Sequence, residues 1–422
     1  MAFGFCSQGS FEWRRFGVMI DFNALNWAGP SGLRDRLSTL IDPRKRRGIR
    51  FPLEEILLLA MAAVLAGMRS YIAISDWIQD LTPEYRERFG CRPWGSTFKV
   101  PSEPTIRRTL QSIDREAFDA VLNAWLTEES QRHDNAIAVD GKALRGSGHG
   151  RRKRPVQLLA ALGHATGQVL GQVDVDSKTN EIPKIKDWLD PLDITDKIVT
   201  MDALHTQVET ARYLVEDKHA HYIMEVKKNQ PNLYEAIAAV PLEDYSRPMV
   251  TLNKGHNRIE QRVVRTSTVL NTYLDWPYVG QIFRIDRHVT DLLGEHPRDE
   301  VAFGVTDLRP KFASSKRIGK LVRGHWRIET RLHYVRDMAF DEDRSQIRTG
   351  SGPQVMATLR NIAIGLIRRM KLPNIQRTLE HLGRRPDPGV CLALELAPSS
   401  TSSIVAFIVP KTKRALCYAL KA

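Results

Sequence analysis

Two apolar runs in this chain each end on a carboxylate, and they restrict its fold more than any other feature. Ala136-Ile-Ala-Val-Asp140 is followed at once by Gly141, Lys142 and Arg145; Lys197-Ile-Val-Thr-Met-Asp202 is followed by Ala-Leu-His205. Short apolar runs bounded by turn residues read as buried strands. If the two strands are neighbours, both acids emerge at one edge of the sheet, where α/β proteins keep their sites. A third acid, Glu329, lies in a helical segment whose stripe is Leu321, Ile328, Leu332, Val335 and Ala339. His325, Trp326, His333 and Arg336 fall on the same side of it.

The surrounding pattern predicts a mixed α/β fold. Strands are expected at 136–139, 156–162, 168–175, 197–201 and 221–226, with helices at 182–189 and 206–218 between the later ones. Three meandering strands followed by strand–helix–strand units give a mixed sheet flanked by helices. Strand character returns at 258–268, 281–286 and 300–306, a β-rich insertion over about 244–310, before helices at 314–340 and 353–370. From Phe51 to Trp125 the pattern is helical throughout. Pro52 stands at a first turn, Ser102 and Asp114 are N-caps, and Arg107 and Arg108 are exposed on a helix pair that is either a DNA-reading helix-turn-helix or an ordinary hairpin. The expected organisation is an irregular arm over 1–34, an all-α domain over 35–130, the sheet domain over 131–372, and a tail over 373–422.

A chain of 422 residues with a net charge of +13 favours a polyanionic partner. Four scattered cysteines (Cys6, Cys91, Cys391, Cys417) form no Cys-x-x-Cys pair and imply a reduced, cytoplasmic setting without structural zinc. The longest apolar run, 56–68, is too short to span a bilayer, and no secretion signal precedes it, so no membrane partner is expected. No P-loop motif is present, and no serine or cysteine sits in a nucleophile context.

Carboxylates converging in a basic protein point to a divalent-metal site for phosphoryl chemistry on nucleic acid. Mg2+ takes hard oxygen ligands and keeps several waters, so a few acids and substrate phosphates suffice. Each acid taken alone also has an ordinary reading, as a turn former, a helix cap or a solvated helix residue. The candidate DNA contacts are the basic groups around them. Lys142, Arg145 and the loop Arg151, Arg152, Lys153 and Arg154 follow the first acid, with His205 beside the second. Lys227, Lys228, Asn229 and Gln230 precede a helix, where they either bind phosphate or cap it. His325, Trp326 and Arg336 accompany the third acid, with Trp326 either stacked on a base or packed in the core.

Val139-Asp140-Gly141-Lys142, with Leu144-Arg145-Gly146, resembles the first-aspartate motif of ISAs-type insertion-sequence transposases, the group that includes the H-repeat-associated proteins. The resemblance continues through Asp202-Ala-Leu-His205-Thr-Gln207 and Tyr222-Ile-Met-Glu-Val-Lys-Lys-Asn-Gln-Pro231. It ends in His325-Trp326-Arg327-Ile328-Glu329, with Leu332-His333, Asp337, Phe340, Glu342-Asp343 and Arg360-Asn361 behind it. It covers about residues 35–370, while the first thirty-odd residues and those after about Arg384 lie outside it.

The resemblance implies an RNase H-like DDE core, with Asp140, Asp202 and Glu329 as the metal-binding catalytic acids for two Mg2+ ions and Mn2+ as a substitute. It implies cleavage at the element's terminal inverted repeats and strand transfer into target DNA by a homo-oligomer, a dimer, at the bacterial nucleoid. Val322, His325 and Arg336 stand where related transposases carry tyrosine, arginine and lysine. Two other readings share these residues: a nuclease that cuts without joining, and a non-catalytic DNA-binding descendant.

Overall fold

A computed structural model describes residues 11–13, 18–20, 32–47, 49–130, 134–148, 154–175, 181–255, 257–370, 372 and 374–384. They fall into two compact units: residues up to Thr109 together with those from Arg369 onward, and Leu110–Arg368.

The first unit holds the short pair β1 (Phe11–Trp13) and β2 (Val18–Ile20), then α1 (Leu33–Ser38), α2 (Leu53–Leu65), α3 (Tyr71–Gln79) and α4 (Pro83–Arg88). α2 is buried almost all round, as its continuous apolar sequence requires. The Ser70 hydroxyl caps α3 by accepting from Ala73 N. The helical expectation for this region needs one correction. β3 (Pro93–Trp94) and β4 (Thr97–Phe98) form a tight hairpin before α5 (Glu103–Ser112), because Gly95 supplies the positive φ, 61°, that its turn needs.

In the second unit α6 (Arg115–Ser130) starts where expected, with Asp114 Oδ1 accepting from the main-chain N–H of Glu116 and Ala117. The sheet follows: β5 (Ala136–Leu144), β6 (Val156–Gly163) and β7 (Val169–Val175) form an antiparallel meander. α7 (Glu181–Leu189) leads to β8 (Ile198–Met201), and α8 (Val208–Glu216) to β9 (His221–Val226); β8 lies parallel to β5 and β9 parallel to β8. After α9 (Pro231–Ala238) come β10 (Met249–Gly255), β11 (Arg258–Ser267), β12 (Gln281–Asp291) and β13 (Arg298–Thr306). These four strands make no separate module. β13 pairs antiparallel with β9, so one nine-stranded sheet runs β10-β11-β12-β13-β9-β8-β5-β6-β7. The pairing occupies main-chain groups that would otherwise leave β9 an open edge.

Helices α10 (Ser315–His325), α11 (Tyr334–Phe340) and α12 (Gly352–Arg369) complete this unit, and α13 (Ile375–Gly383) belongs to the first. Strand alternation gives the sheet two packed faces. Ile137, Val139, Val199, Met201, Tyr222 and Met224 enter the large core with α7 and α8; Ala136, Ile198 and Ile223 pack with Ile318, Leu321 and Val322 of α10.

Two sequence expectations change here. The first strand does not stop at Asp140; it runs on to Leu144 because Gly141–Leu144 keep pairing with β6 after β8 has ended. The helix expected over 314–340 is interrupted by a π-helical turn at Glu329–His333.

Asp119 on α6 is buried against α12, where Thr358 Oγ1 donates to it and Gln354 Nε2 lies 3.3 Å away. Burial pushes its carboxyl up to about 7. An acid whose folded pKa is raised contributes stability below its unfolded value of about 3.9 and loses it as pH rises through the folded value. Asp119→Asn is therefore expected to flatten the loss of stability between about pH 4 and about pH 7, measured by denaturant unfolding across pH; an unchanged profile would clear Asp119 of this role.

Candidate metal centre

The parallel register sets Val139 opposite Met201, one residue before each acid. Since Ala136 and Ile198 face α10, period-two alternation turns Asp140 and Asp202 to that same face. Asp140 stands beside the point where its parallel partner ends, so its side chain is partly open. Glu225 of β9 shares that face by the same alternation from Ile223, and it was not among the sequence candidates. An acid interrupting the apolar strand Tyr222–Val226 was the signal for it.

Glu329 opens the π turn, and π turns concentrate at functional sites. Its Oε2 lies 3.0 Å from His333 Nδ1, which lies 3.6 Å from Asp140 Oδ2. Ligand atoms of Asp140, Glu329 and His333 lie within 4.8 Å of one another. His333 was seen in the sequence only as a neighbour of Glu329. Its ring is buried, its Nε2 has no hydrogen-bond partner, and it joins the helix acid to the strand acid. Asp202 lies outside that trio. Its Oδ1 is buried without a hydrogen-bond partner, with His205 Nε2 at 3.9 Å.

Burial pushes the Asp140 carboxyl up against the pull of His333, and the Asp202 charge adds to the rise. The His333 hydrogen bond holds Glu329 down. Burial also pushes Glu225 up. Carboxylates crowded in a partly dry place, one with an orphaned oxygen, need a positive charge among them. Two hard oxygen donors and an imidazole within ligand range, with Asp202 beside them, fit a divalent cation.

The remaining sequence candidates divide clearly. Lys142 points to the acid side but is held by Asp337 at 2.7 Å. Arg145 is 79% exposed, 3.7 Å from Asp343, and Arg154 is exposed; Arg151, Arg152 and Lys153 lie outside the described residues. Lys227 and Lys228 are exposed just beyond Glu225. Asn229 does not cap α9: its amide donates to Ala203 O at 2.6 Å, and Gln230 Nε2 donates to Thr206 O at 2.9 Å. Both tie this loop to the turn that follows Asp202. His205 is buried in that turn, near Gly141.

Around Glu329 the structure corrects two contacts. His325 faces inward: its Nδ1 lies 3.2 Å from Thr200 Oγ1, and burial lowers its pKa to about 4. Thr200 Oγ1 also lies 3.0 Å from His164 Nε2 and 3.1 Å from Ile137 O, so this group clamps the end of α10 to β8 and β5. Arg336 is fully buried and grips Glu342 with two bonds of 2.8 and 2.9 Å; Arg360 reaches the same carboxylate at 2.7 Å. Neither His325 nor Arg336 is open to phosphate. Trp326 is half exposed and lines a cavity of about 320 Å³ between α10 and the added strands, with Arg262, Arg287, Lys320 and Arg323 around it and Glu225 at its wall.

The family model described as a transposase DDE domain matches residues 131–366, and one described as DDE_Tnp_1-associated matches 34–126. The chain belongs to the DDE transposase family. It is 30% identical over 349 residues to "Putative transposase YncI" of Escherichia coli O157:H7, covering 80% of this chain and 88% of that one. It is 25% identical over 350 residues to "H repeat-associated putative transposase YhhI" of Escherichia coli strain K12, covering 81% and 91%. Among solved structures, the piggyBac transposase synaptic complex with hairpin DNA aligns at 11% identity and a TM-score of 0.42 over 88% of this chain and 80% of that one, too distant to bear on function. No helix among the described residues of this family member is long and apolar enough to cross a membrane.

The ion cluster behind the site is testable. Burial alone would raise the Glu342 carboxyl, yet Arg336 and Arg360 outweigh it and hold it at about 2. Glu342→Gln removes the carboxylate charge that two buried guanidiniums share and is expected to cost about 3–5 kcal/mol of unfolding free energy. Urea titration would show this as a lower midpoint, and an unshifted midpoint would contradict it.

Proposed function

We propose that this chain is the transposase of a bacterial insertion sequence, cutting the phosphodiester at the element's ends and joining the freed 3′-hydroxyl to target DNA. The observation that carries this reading is the convergence of Asp140 and Asp202, from paired parallel strands, with Glu329 from the helix crossing that face, in a chain of the DDE transposase family. The strand order β7-β6-β5-β8-β9, an antiparallel meander followed by two parallel strands, supports an RNase H-like core.

Asp140, Asp202 and Glu329 would hold Mg2+, or Mn2+ in its place, with His333 closing the group. When bound, two such ions activate the attacking oxygen and stabilise the leaving one. The chain's own groups supply position. Asn229 and Gln230 fix the turn carrying His205, and the Thr200 clamp fixes α10 ahead of Glu329. Arg145, Arg154 and Lys228 are exposed to hold duplex phosphates, Lys227 is exposed but lies 3.4 Å from Glu225 Oε1, and Trp326 offers an aromatic face to an unpaired base. Lys142 is paired with Asp337 and becomes a contact only if that pair opens. We place the working enzyme on the bacterial nucleoid as a dimer bridging two ends.

Asp140→Ala, Asp202→Ala and Glu329→Ala should each abolish Mg2+-dependent nicking of a terminal-repeat duplex while leaving its binding largely intact. Joined products on a labelled target separate a transposase from a nuclease; normal nicking by any variant removes that acid from the site. His333→Ala is expected to lower Mn2+ affinity by about 10–100-fold in titration calorimetry, and an unchanged isotherm would exclude His333 from the metal's surroundings.

A further inference from the structure

The acid site accounts for the basic groups around it and leaves another set unexplained in the first compact unit. Between α1 and α2 the chain reads Asp42-Pro-Arg-Lys-Arg-Arg-Gly-Ile-Arg50-Phe51. Lys45, Arg46, Arg47 and Arg50 are all exposed, and among the described residues their side chains make no ion pair or hydrogen bond. Runs of like charge are ordinarily flexible and merely solvated. This one is shaped. Arg44 turns inward and forks onto Asp42, Nε to Oδ1 at 2.8 Å and Nη2 to Oδ2 at 2.6 Å. The same Nη2 donates to Phe51 O at 2.7 Å, and Arg44 N donates to Asp42 Oδ1 at 2.9 Å. One arginine thus closes both ends of the loop, next to the buried Phe51 that leads into α2.

We propose that Lys45, Arg46, Arg47 and Arg50, between the Asp42 and Phe51 ends that Arg44 ties together, form a DNA contact distinct from the acid site and present four cations to duplex phosphates. The inference rests on the transposase reading and adds to it a contact in the unit that lacks the acids. The chemistry is recognition of the phosphate backbone, without base readout: exposed cations release condensed counterions, and a loop already held in shape loses little freedom on binding. Asp42 is a positioning residue here, because it acts only through Arg44.

The test is fluorescence anisotropy of the full chain with a labelled terminal-repeat duplex in EDTA, repeated over a salt series. Replacing Lys45, Arg46, Arg47 and Arg50 together by alanine should weaken binding and reduce the slope of log K against log salt by about 3 to 4. Thermal unfolding and Mn2+ titration of the acid site should stay as in the unaltered chain. Asp42→Ala discriminates further. It makes the protein more positive, so simple charge attraction predicts tighter binding, whereas a pinned loop predicts weaker binding. An unchanged slope in the quadruple variant, or tighter binding by Asp42→Ala, would overturn the inference. Loop-dependent binding to phosphatidylglycerol vesicles with duplex binding unaffected would overturn it as well. Failure of the unaltered chain to bind any duplex would instead strike at the transposase reading itself.

Discussion

The parallel pairing of β5 with β8 is the constraint on which the rest of this protein depends. Parallel strands cannot be joined by a tight turn, so a long connection must separate them, here the sheet strands β6 and β7 followed by the crossover helix α7. That detour separates Asp140 from Asp202 in sequence while the register returns them to the same level. Because side chains alternate across a sheet, a one-residue slip would turn an acid into the large apolar core. The apolar runs before the two acids therefore fix the face on which both acids stand as well as the fold. Val139 and Met201 are anchored on one face, which turns the next residue of each strand to the other.

The third acid depends on a different device. Glu329 is set between two buried polar assemblies, the Thr200 clamp on its N-terminal side and the Arg336–Glu342–Arg360 cluster on its C-terminal side. The buried ion pairs of the second assembly are costly to desolvate and more costly to break, so they hold one arrangement in preference to others. Between them the helix takes a π turn and brings His333 against both Glu329 and Asp140. The burial that makes the Asp140 carboxyl hard to ionise is a consequence of the same packing.

Much of this was legible before the structure. The strand at His221–Val226 and the start of the strand at Val156 fall where the alternation and turn residues put them, and Asp114 caps its helix as its residue type suggests. The acids were legible because a charged residue closing an apolar strand is conspicuous. Their basic surroundings were harder to read. Arg336 and His325 look like exposed helix charges in the sequence, and only their partners, Glu342 six residues on and Thr200 on a distant strand, explain why they are buried. Asn229 has the look of a helix cap and serves instead as a strap onto the Asp202 turn.

The sequence by itself determined the α/β class, the apolar runs that close on acids, the basic character and the family resemblance, because these rest on local periodicity and ordered motifs. Only the tertiary structure decided that the added β strands extend one sheet, that Asp140 sits within its strand, and that His333 and Glu225 join the acids. It also decided which cations are free and which are already paired. Such facts depend on contacts between residues far apart in the chain, and no local pattern carries them.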